Sequence, residues 1–325
     1  MRRQLLLGAS ALLLSSRLSA QRAEKVRRVA MLSGSVESSQ GQLQLAAFKD
    51  SLRELGWVEG RNLALEHRWG EGKASLMRAH AEDLVKGKPD VIVVRSATAL
   101  RETRRLAGDI PIVFVSVSNP VANGFVKDLA HPGGNITGFS NLDFDMAGKW
   151  LQLLKETAPR LQRVLALQSV NNPSWSGWVQ ALETRAAALK LGVVRGGLRI
   201  PDEIESTIAR FAAKPNGGVV VLPDPFLTPH RTQIVSLAAR HRVPAIYGNP
   251  EYIDAGAFLF YGVNLADLPK RLAAYVNRIL NGEKAGDLPV QAPTEFDLVV
   301  NQHAAKALGI AVPPAVLLRA SRVIG

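Results

Sequence analysis

Small hydroxyl and amide side chains follow several short apolar runs in the first half of the sequence. The apolar runs cover residues 28–32, 91–94 and 110–114, and each has the composition of a buried strand. The residues that follow them can hydrogen-bond a small polar ligand, and those near Ser96 can donate to a carboxylate. These candidates are Ser33, Gly34, Ser35, Ser96, Ala97, Thr98, Ser118, Asn119 and Pro120.

The second half offers a matching set that is richer in aromatic rings. A ring from Trp175, Phe226 or Tyr247 can cover the flat face of a ligand, and Asp224 can pair with an ammonium group. Together the two sets suit a small ligand that carries both charges. The candidates in this half are Asn171, Asn172, Trp175, Asp224, Phe226, Tyr247 and Asn249. A second interpretation is structural: Ser and Asn after a strand are common helix N-caps, and Asp224 between two prolines is also typical of a solvated turn.

Catalytic and metal-binding patterns do not appear in the sequence. The six histidines are scattered without metal-ligand spacing, there is no cysteine, and no serine lies in a Gly-x-Ser-x-Gly motif. Glycine-rich nucleotide fingerprints are also missing. The formal charge of +12 is spread among acidic residues without a basic stripe, so a nucleic-acid partner is disfavoured. We therefore expect no enzymatic activity, no metal and no cofactor.

The elements that must position these side chains occur twice in the same order. Each half begins with an apolar run, continues through helix, strand and helix, and reaches a third strand that starts at a Lys-Pro turn, over residues 88–94 and 214–222. Each then has a strand followed by Asn-Pro, at Asn119 and at Asn249. Apolar strands that alternate with helices indicate parallel sheets covered on both faces. The predicted fold is α/β, with two doubly wound parallel-sheet lobes and a ligand cleft between the carboxyl ends of their strands.

We expect residues 26–140 with 264–288 to form the first lobe and residues 141–263 with 289–325 to form the second. The chain then crosses between lobes at two predicted hinges, whose motion closes the lobes on a ligand. The first hinge comprises Phe139, Ser140, Asn141 and Leu142, and the second comprises Tyr261, Gly262, Val263, Asn264 and Leu265.

Several stretches of the sequence resemble the periplasmic substrate-binding proteins of ABC transporters that have the type I two-lobed fold, in the branch that includes aromatic amino-acid binders. The resemblance covers about residues 26–325 and is carried by residues 52–60, 88–93, 131–138, 222–225, 261–268 and 307–314. One departure concerns the loop after the fourth strand, where similar sequences have Asp-Pro-Val and this chain has Asn119-Pro120-Val121. If that acid pairs with a ligand amine, the specificity differs here.

The resemblance implies a monomer that captures a small molecule, with an amino acid or an aromatic compound as candidates, and delivers it to ABC transporter permease subunits. A ligand-sensing receptor of the same fold, which signals to a regulatory partner, is the alternative. An exported enzyme built on two such lobes is a third possibility, which a turnover assay would detect.

The first 20 residues predict a cleavable signal peptide and a periplasmic location. Arg2 and Arg3 precede an apolar run that is too short to span a bilayer, and small and polar residues follow to Ala20. The pattern leaves open whether export uses the general or the twin-arginine route, and a permanent anchor is the minor interpretation. We expect N-terminal sequencing of the exported protein to begin close to Gln21; an intact Met1 would contradict cleavage.

Overall fold

A computed structural model of the protein describes residues 25–325, so the predicted signal peptide lies outside the described residues. The strands are β1 Arg27–Ser33, β2 Leu63–Trp69, β3 Val91–Arg95, β4 Ile112–Val117, β5 Ile136–Ser140, β6 Arg163–Ser169, β7 Gly192–Leu198, β8 Gly217–Val221, β9 Ala245–Tyr247, β10 Leu259–Val263, β11 Phe296–Asn301 and β12 Arg322–Ile324. The α-helices are α1 Ser39–Glu54, α2 Ala74–Lys86, α3 Ala97–Arg104, α4 Met146–Thr157, α5 Trp175–Ala188, α6 Glu203–Ala212, α7 Arg231–Arg240, α8 Leu268–Leu280, α9 Gln302–Leu308 and α10 Pro314–Leu317.

The first lobe is built on a parallel sheet with strand order β2-β1-β3-β4-β5. Its central strands are apolar on both faces because helices cover both sides. Val29, Met31, Val91 and Val93 pack with α1 and α8 on one face, whereas the alternate residues of the same strands pack with α2 and α3 on the other. The unbroken apolar runs of the sequence are therefore required by the double-sided core.

The second lobe repeats this order and extends it. Its sheet runs β7-β6-β8-β9-β10 and then adds β11, antiparallel to β10, and β12. The two strands that follow Lys-Pro turns, β3 and β8, occupy equivalent places in separate sheets, next to β1 and β6 respectively. The prediction of two doubly wound α/β lobes is confirmed.

The Lys-Pro turns themselves are not part of the strands, and the predicted strand starts at Lys88 and Lys214 are wrong. Lys88 and Asn216 have positive φ angles of 47° and 58°, which break an extended chain. Strand pairing of β3 begins only at Val91. The residue before it, Asp90, accepts hydrogen bonds from the backbone N–H of Arg28 and the side chain of Arg27.

The C-terminal segments divide between the lobes. Helix α8 packs against α1 on the first sheet, whereas β11 and β12 complete the edge of the second sheet. The chain therefore crosses between the sheets three times: after β5, after β10, and between Gln291 and Glu295 before β11. Phe139 and Ser140 of the first predicted hinge lie inside β5, and Tyr261, Gly262 and Val263 of the second lie inside β10.

Polar contacts tie the third crossing to the first. The backbone N–H of Ser140 donates to the carbonyl of Gln291 at 2.9 Å, and the N–H of Gln291 donates to the carbonyl of Gly138 at 3.0 Å. The side chain of Gln291 accepts from Arg271 and donates to the hydroxyl of Tyr275, both on α8. The first and third crossings are therefore connected to each other and to α8 rather than independent linkers.

Gly138 in β5 allows a close approach of the neighbouring strand. It has φ +153°, and a Cβ atom there would lie 2.0 Å from the carbonyl oxygen of Phe114. We expect Gly138→Ala to lower the free energy of unfolding by about 3–5 kcal/mol, because backbone atoms cannot move aside. Urea unfolding measures this. In the control Gly148→Ala, within α4, the added Cβ would meet only ordinary contacts to Arg185 at 3.6 Å, so stability should stay equal or rise by up to about 1 kcal/mol. Equal effects of the two substitutions would contradict this account of β5.

Candidate functional site

The central cavity lies between the lobes, at the carboxyl ends of the parallel strands. Its volume is about 120 Å³, and a single water needs roughly 10–15 Å³ on the same measure, so it holds about ten water-sized groups. That is the size of a small organic molecule such as an amino acid. The lining residues are Ser35, Gln40, Gln44, Arg95, Ser96, Ala97, Ser116, Ser118, Asn141, Leu142, Asn172, Ser174, Pro223, Asp224, Pro225, Thr228, Gly248, Asn249, Pro250, Glu251, Val263 and Leu265.

The wall from the first lobe is shaped by unusual backbone angles. Ser96 has φ +129° and caps α3, its hydroxyl accepting from the N–H of Ala99 at 3.1 Å. Ser116 has φ +58° at a register shift between β4 and β5, which is a bulge. Bulges redirect side chains next to binding sites. Strained conformations of this kind concentrate at functional sites, and here both residues line the cavity.

Asp224 dominates the wall from the second lobe. Its two carboxylate oxygens accept hydrogen bonds from the backbone N–H groups of Phe226 at 2.9 Å and Ser169 at 2.8 Å, and the side chain of Asn172 also bonds to it. Only 5% of the residue is exposed. Burial raises the pKa of Asp224 to about 6, against the lowering effect of these hydrogen bonds. A carboxylate accepts about four hydrogen bonds, so one position remains for a donor in the cavity.

Arg95 and Glu251 face the cavity from opposite lobes. Arg95 ends β3 and donates to the side chain of Gln44 on α1. Burial lowers the pKa of Arg95, and the charge of Glu251 opposes that change. Burial also raises the pKa of Glu251, while Arg231 and Arg95 lower it and Asp254 raises it. The charge of each side chain therefore affects the pKa of the other, although no ion pair joins the two.

Contacts beside the cavity hold the lobes together. The guanidinium of Arg101 on α3 donates to the carbonyl of Asn171 at 2.8 Å, and the side chain of Asn123 donates to the hydroxyl of Ser174 at 3.1 Å. Gly72 of the first lobe packs so closely on Pro225 that a Cβ atom would lie 2.6 Å from its carbonyl oxygen. The structure therefore shows the lobes closed over the cavity.

Many residues proposed from the sequence as ligand contacts do lie around this cleft. Ser35, Ser96, Ala97, Ser118, Asn172, Asp224 and Asn249 line the central cavity. Thr98, Asn171 and Phe226 line an adjoining outer cavity of about 620 Å³, and Asn172 and Asp224 belong to both walls. Of the residues proposed as hinges, Asn141, Leu142, Val263 and Leu265 line the central cavity, and Asn264 lies in a smaller cavity beside the crossings.

Two of the aromatic rings that were expected to cover the ligand, those of Trp175 and Tyr247, do not line the central cavity. Tyr247 is 1% exposed and stacks on Tyr252, with ring centroids 4.8 Å apart, inside the core of the second lobe. Trp175 packs against Gly197 of β7. Neither ring lines the central cavity, because both face the apolar side of their elements rather than the strand ends. Replacing Trp175 is accordingly a test of packing rather than of ligand contact.

Four other proposed contacts are absent from the lining of the central cavity. The hydroxyl of Ser33 makes a hydrogen bond with the Nε2 atom of His67 at 2.9 Å. Gly34 packs against the side chain of Ser96. Asn119, with φ +36°, accepts from the N–H of Ala122 and lies with Pro120 in a separate groove that shares Leu142 with the central cavity. The Asn119 substitution noted in the sequence is thus not placed on the wall of the central cavity.

Of the charged residues on the wall, the sequence indicated Asp224 but not Arg95 or Glu251, and it also did not indicate Gln40 or Gln44. Arg95 ends an otherwise apolar strand, which is a signal that a buried charge faces a site. Gln40 and Gln44 are spaced four residues apart at the start of α1 and so share one face. Glu251 follows Asn249-Pro250, a turn that the sequence did mark.

No helix within residues 25–325 is long and apolar enough to cross a bilayer. No group of three or more His, Cys, Asp or Glu side chains in that range is arranged to hold a metal ion.

Two similar α/β lobes that close over a small polar cavity define a two-lobed ligand-binding protein. Residues 32–324 match the family model described as ABC transporter substrate binding protein, and the chain belongs to that family. A curated relative, the tyrosine-binding protein of Clostridioides difficile strain R20291, is 26% identical over 262 residues, which is 80% of this chain and 75% of the relative.

Solved structures support the same fold. A conserved domain protein from Vibrio cholerae is 27% identical and has a TM-score of 0.85 over 92% of this chain and all of that chain. A Streptococcus protein in complex with L-Trp has the same score and coverage at 24% identity. A ligand-free, open substrate binding protein with adhesive properties from Clostridium difficile is 26% identical, but its TM-score is 0.65 over 92% of this chain and 99% of that chain. A lower score against an open structure agrees with the closed lobes.

The raised pKa of Asp224 predicts a pH-dependent stability. The folded state holds the Asp224 proton with a pKa of about 6 and the unfolded chain at the ordinary value of 3.8. This group therefore stabilises the fold most below about pH 4, and that contribution is lost as the pH rises through about 6. We expect the free energy of unfolding of the wild type to fall by about 2 kcal/mol relative to Asp224→Asn between pH 4 and pH 7. Urea unfolding across that range measures it, with exposed Asp202→Asn as control. Parallel profiles of wild type and Asp224→Asn would refute the shift.

Proposed function

We propose that this protein is an exported solute-binding protein that captures a free amino acid in the central cavity and delivers it to an ABC-type permease. The observation that carries the proposal is the arrangement of the closed cavity, which offers donors for an anion on one wall and a carboxylate for a cation on the other. An α-amino acid carries both charges within a few ångströms. The family membership supports the role in transport, and its location outside the cytoplasmic membrane follows from that role.

The anionic end of the ligand would bind to the first lobe. The first N–H groups of a helix have no intrahelical acceptor. In α3 the side chain of Ser96 accepts from the N–H of Ala99, and the N–H groups of Ala97 and Thr98 remain next to the cavities. Helix N-termini favour anions because backbone N–H groups point outward there and the helix dipole is positive. The hydroxyl group of Ser116 lines the same wall and can add a further donor, whereas the hydroxyl of Ser118 already donates to the side chain of Asn141.

The ammonium end would bind to Asp224. The carboxylate is already held by the backbone of two loops, so its position is fixed before the ligand arrives. Fixed groups lose little conformational entropy on binding, which favours affinity. Tyrosine, which the name of the curated relative gives as its ligand, has this head group and supports an amino acid here as well.

Closure would complete the site. Each lobe carries only one half of the charge pattern, so a ligand gains its full set of contacts only when the lobes meet. Such a ligand shifts an equilibrium between open and closed forms by the difference in its affinity for the two. The contacts of Arg101 with Asn171 and of Asn123 with Ser174 then add to the closed form. A closed form with a defined surface across both lobes is what a permease can distinguish from the empty protein.

The Asp224 carboxylate gives the test of the proposed function. An ammonium group binds the ionised carboxylate, so with a pKa of about 6 the affinity for an amino acid should rise about tenfold between pH 5 and pH 7. Asp224→Asn should bind weakly at both pH values. Isothermal titration calorimetry with the common amino acids measures this, and Asp202→Asn, at an exposed position of the same lobe, is the control.

Small-angle scattering on the same samples should show a smaller radius of gyration with ligand than without it. The proposal is refuted if no amino acid binds, or if Asp224→Asn binds amino acids as tightly as the wild type with no compaction.

A further inference from the structure

Glu251 presents a buried acceptor that has no partner. It lies in a short 3-10 helix, Pro250–Tyr252, directly after β9, and it lines the central cavity. Its backbone N–H donates to the side chain of Asn249. Its Oε2 atom is shielded from solvent and has no hydrogen-bond partner. An unsatisfied buried acceptor carries a desolvation cost, so a donor that reaches this carboxylate from the cavity would stabilise it.

Arg95 faces Glu251 across the cavity from the first lobe. The guanidinium carries several N–H donors in a rigid fork, and it donates to Gln44 from one of them. The charges of Arg95 and Glu251 influence each other. No ion pair within 4.0 Å joins them among the salt bridges of the described residues. A donor from one lobe and an acceptor from the other, on the wall of one cavity, suit a ligand group that both donates and accepts a hydrogen bond.

Asp224 is not part of this pair. The Asp224 carboxylate is held by the backbone N–H groups of Ser169, at the end of β6, and Phe226, after β8, whereas Arg95 ends β3 and Glu251 follows β9. The cavity wall therefore carries two polar ends that different elements hold. One end is Asp224 with the first turn of α3, which the proposed function assigns to the amino-acid head group. The other end is Arg95 with Glu251.

We propose that Arg95 and Glu251 select the side chain of the ligand, which ends in a neutral group that both donates and accepts a hydrogen bond, such as a hydroxyl or a carboxamide. The group donates to the carboxylate of Glu251 and accepts from the guanidinium of Arg95. This inference rests on the proposed function, because it takes the amino-acid head group as fixed at the Asp224 end.

The same pair disfavours the other classes of side chain. A carboxylate at this end would meet Glu251, and a cation would meet Arg95, with Arg231 also close enough to act on Glu251. A purely apolar side chain would leave both charges buried and without partners. A site that hydrogen-bonds a substrate group strongly rejects analogues that lack this group. An apolar pocket rejects analogues that carry an additional polar group less strongly. Selection here would therefore act mainly against ligands that lack the donor.

The experiment compares ligands that differ only at this end. Calorimetric titrations of the wild type use two matched pairs: tyrosine with phenylalanine, and glutamine with glutamate. We expect the neutral hydrogen-bonding member of a pair that fits the cavity to bind at least tenfold more tightly than its counterpart. In Glu251→Gln the preference for tyrosine over phenylalanine should fall about tenfold, since hydrogen bonds to an ionised acceptor are the stronger ones. The affinity for phenylalanine should change little.

The control is Glu205→Gln, which removes the same charge from an exposed position of the same lobe, where the side chain is 60% exposed. It should leave both affinities unchanged. Thermal unfolding of each variant checks that it is folded. If Glu251→Gln fails to fold, Arg95→Gln removes the opposite partner and should reduce the same preference.

The outcomes separate the two proposals. Binding of both members of each pair with equal affinity, or an unchanged preference in folded Glu251→Gln, overturns the role of Glu251 while the amino-acid function stands. Absence of binding for all four amino acids, together with none for the other common amino acids, overturns the proposed function, and this inference falls with it.

Discussion

Removing water from charged groups is the cost on which the closed form of this protein depends. Arg95, Asp224 and Glu251 all line the central cavity and are largely buried when the lobes meet. A charge withdrawn from water is stabilised only if well-placed partners replace the lost hydration. The protein supplies some of these partners itself, as with the two backbone N–H groups on Asp224. The remainder must come from the ligand, so an empty cavity opposes closure and a complementary ligand favours it.

The framework around the cavity consists of two packed lobes that are joined at a few crossings of the chain. Both sheets are packed on two apolar faces and resist deformation, because interiors are close-packed. Three crossings connect them, and the contacts of Gln291 with β5, Arg271 and Tyr275 link the first crossing to the third. Cavity-lining residues such as Asn141 and Leu265 lie in or next to these crossings. A hinge motion at the crossings would therefore also move part of the cavity wall.

The order of the elements could be predicted from the sequence because apolar runs and helix ends are local signals. The repeated order through the Lys-Pro and Asn-Pro turns sufficed to predict two doubly wound lobes. The predicted strand starts at Lys88 and Lys214 were wrong. The positive φ angles of Lys88 and Asn216 depend on local backbone strain that composition does not reveal. The direction of a side chain was the least predictable feature. Tyr247 and Arg95 both end apolar strands, yet one faces the core and the other the cavity, because strand residues alternate between faces and the register is set by tertiary pairing.

The repeated strand order also gives the cleft a direction. Val91 of β3 pairs with the third residue of β1, and Val219 of β8 pairs with the third residue of β6, so Ser96 and Asp224 occupy corresponding positions beyond the two strands. Both side chains bond to backbone N–H groups of the loop or helix that follows. One is a neutral hydroxyl and the other a carboxylate. A binding site made from two identical halves would accept a dipolar molecule equally well in either sense, whereas this one distinguishes head from tail. A bound dipolar ligand would consequently have a single orientation relative to the two lobes. A partner that contacts each lobe separately would then receive the ligand in that fixed orientation.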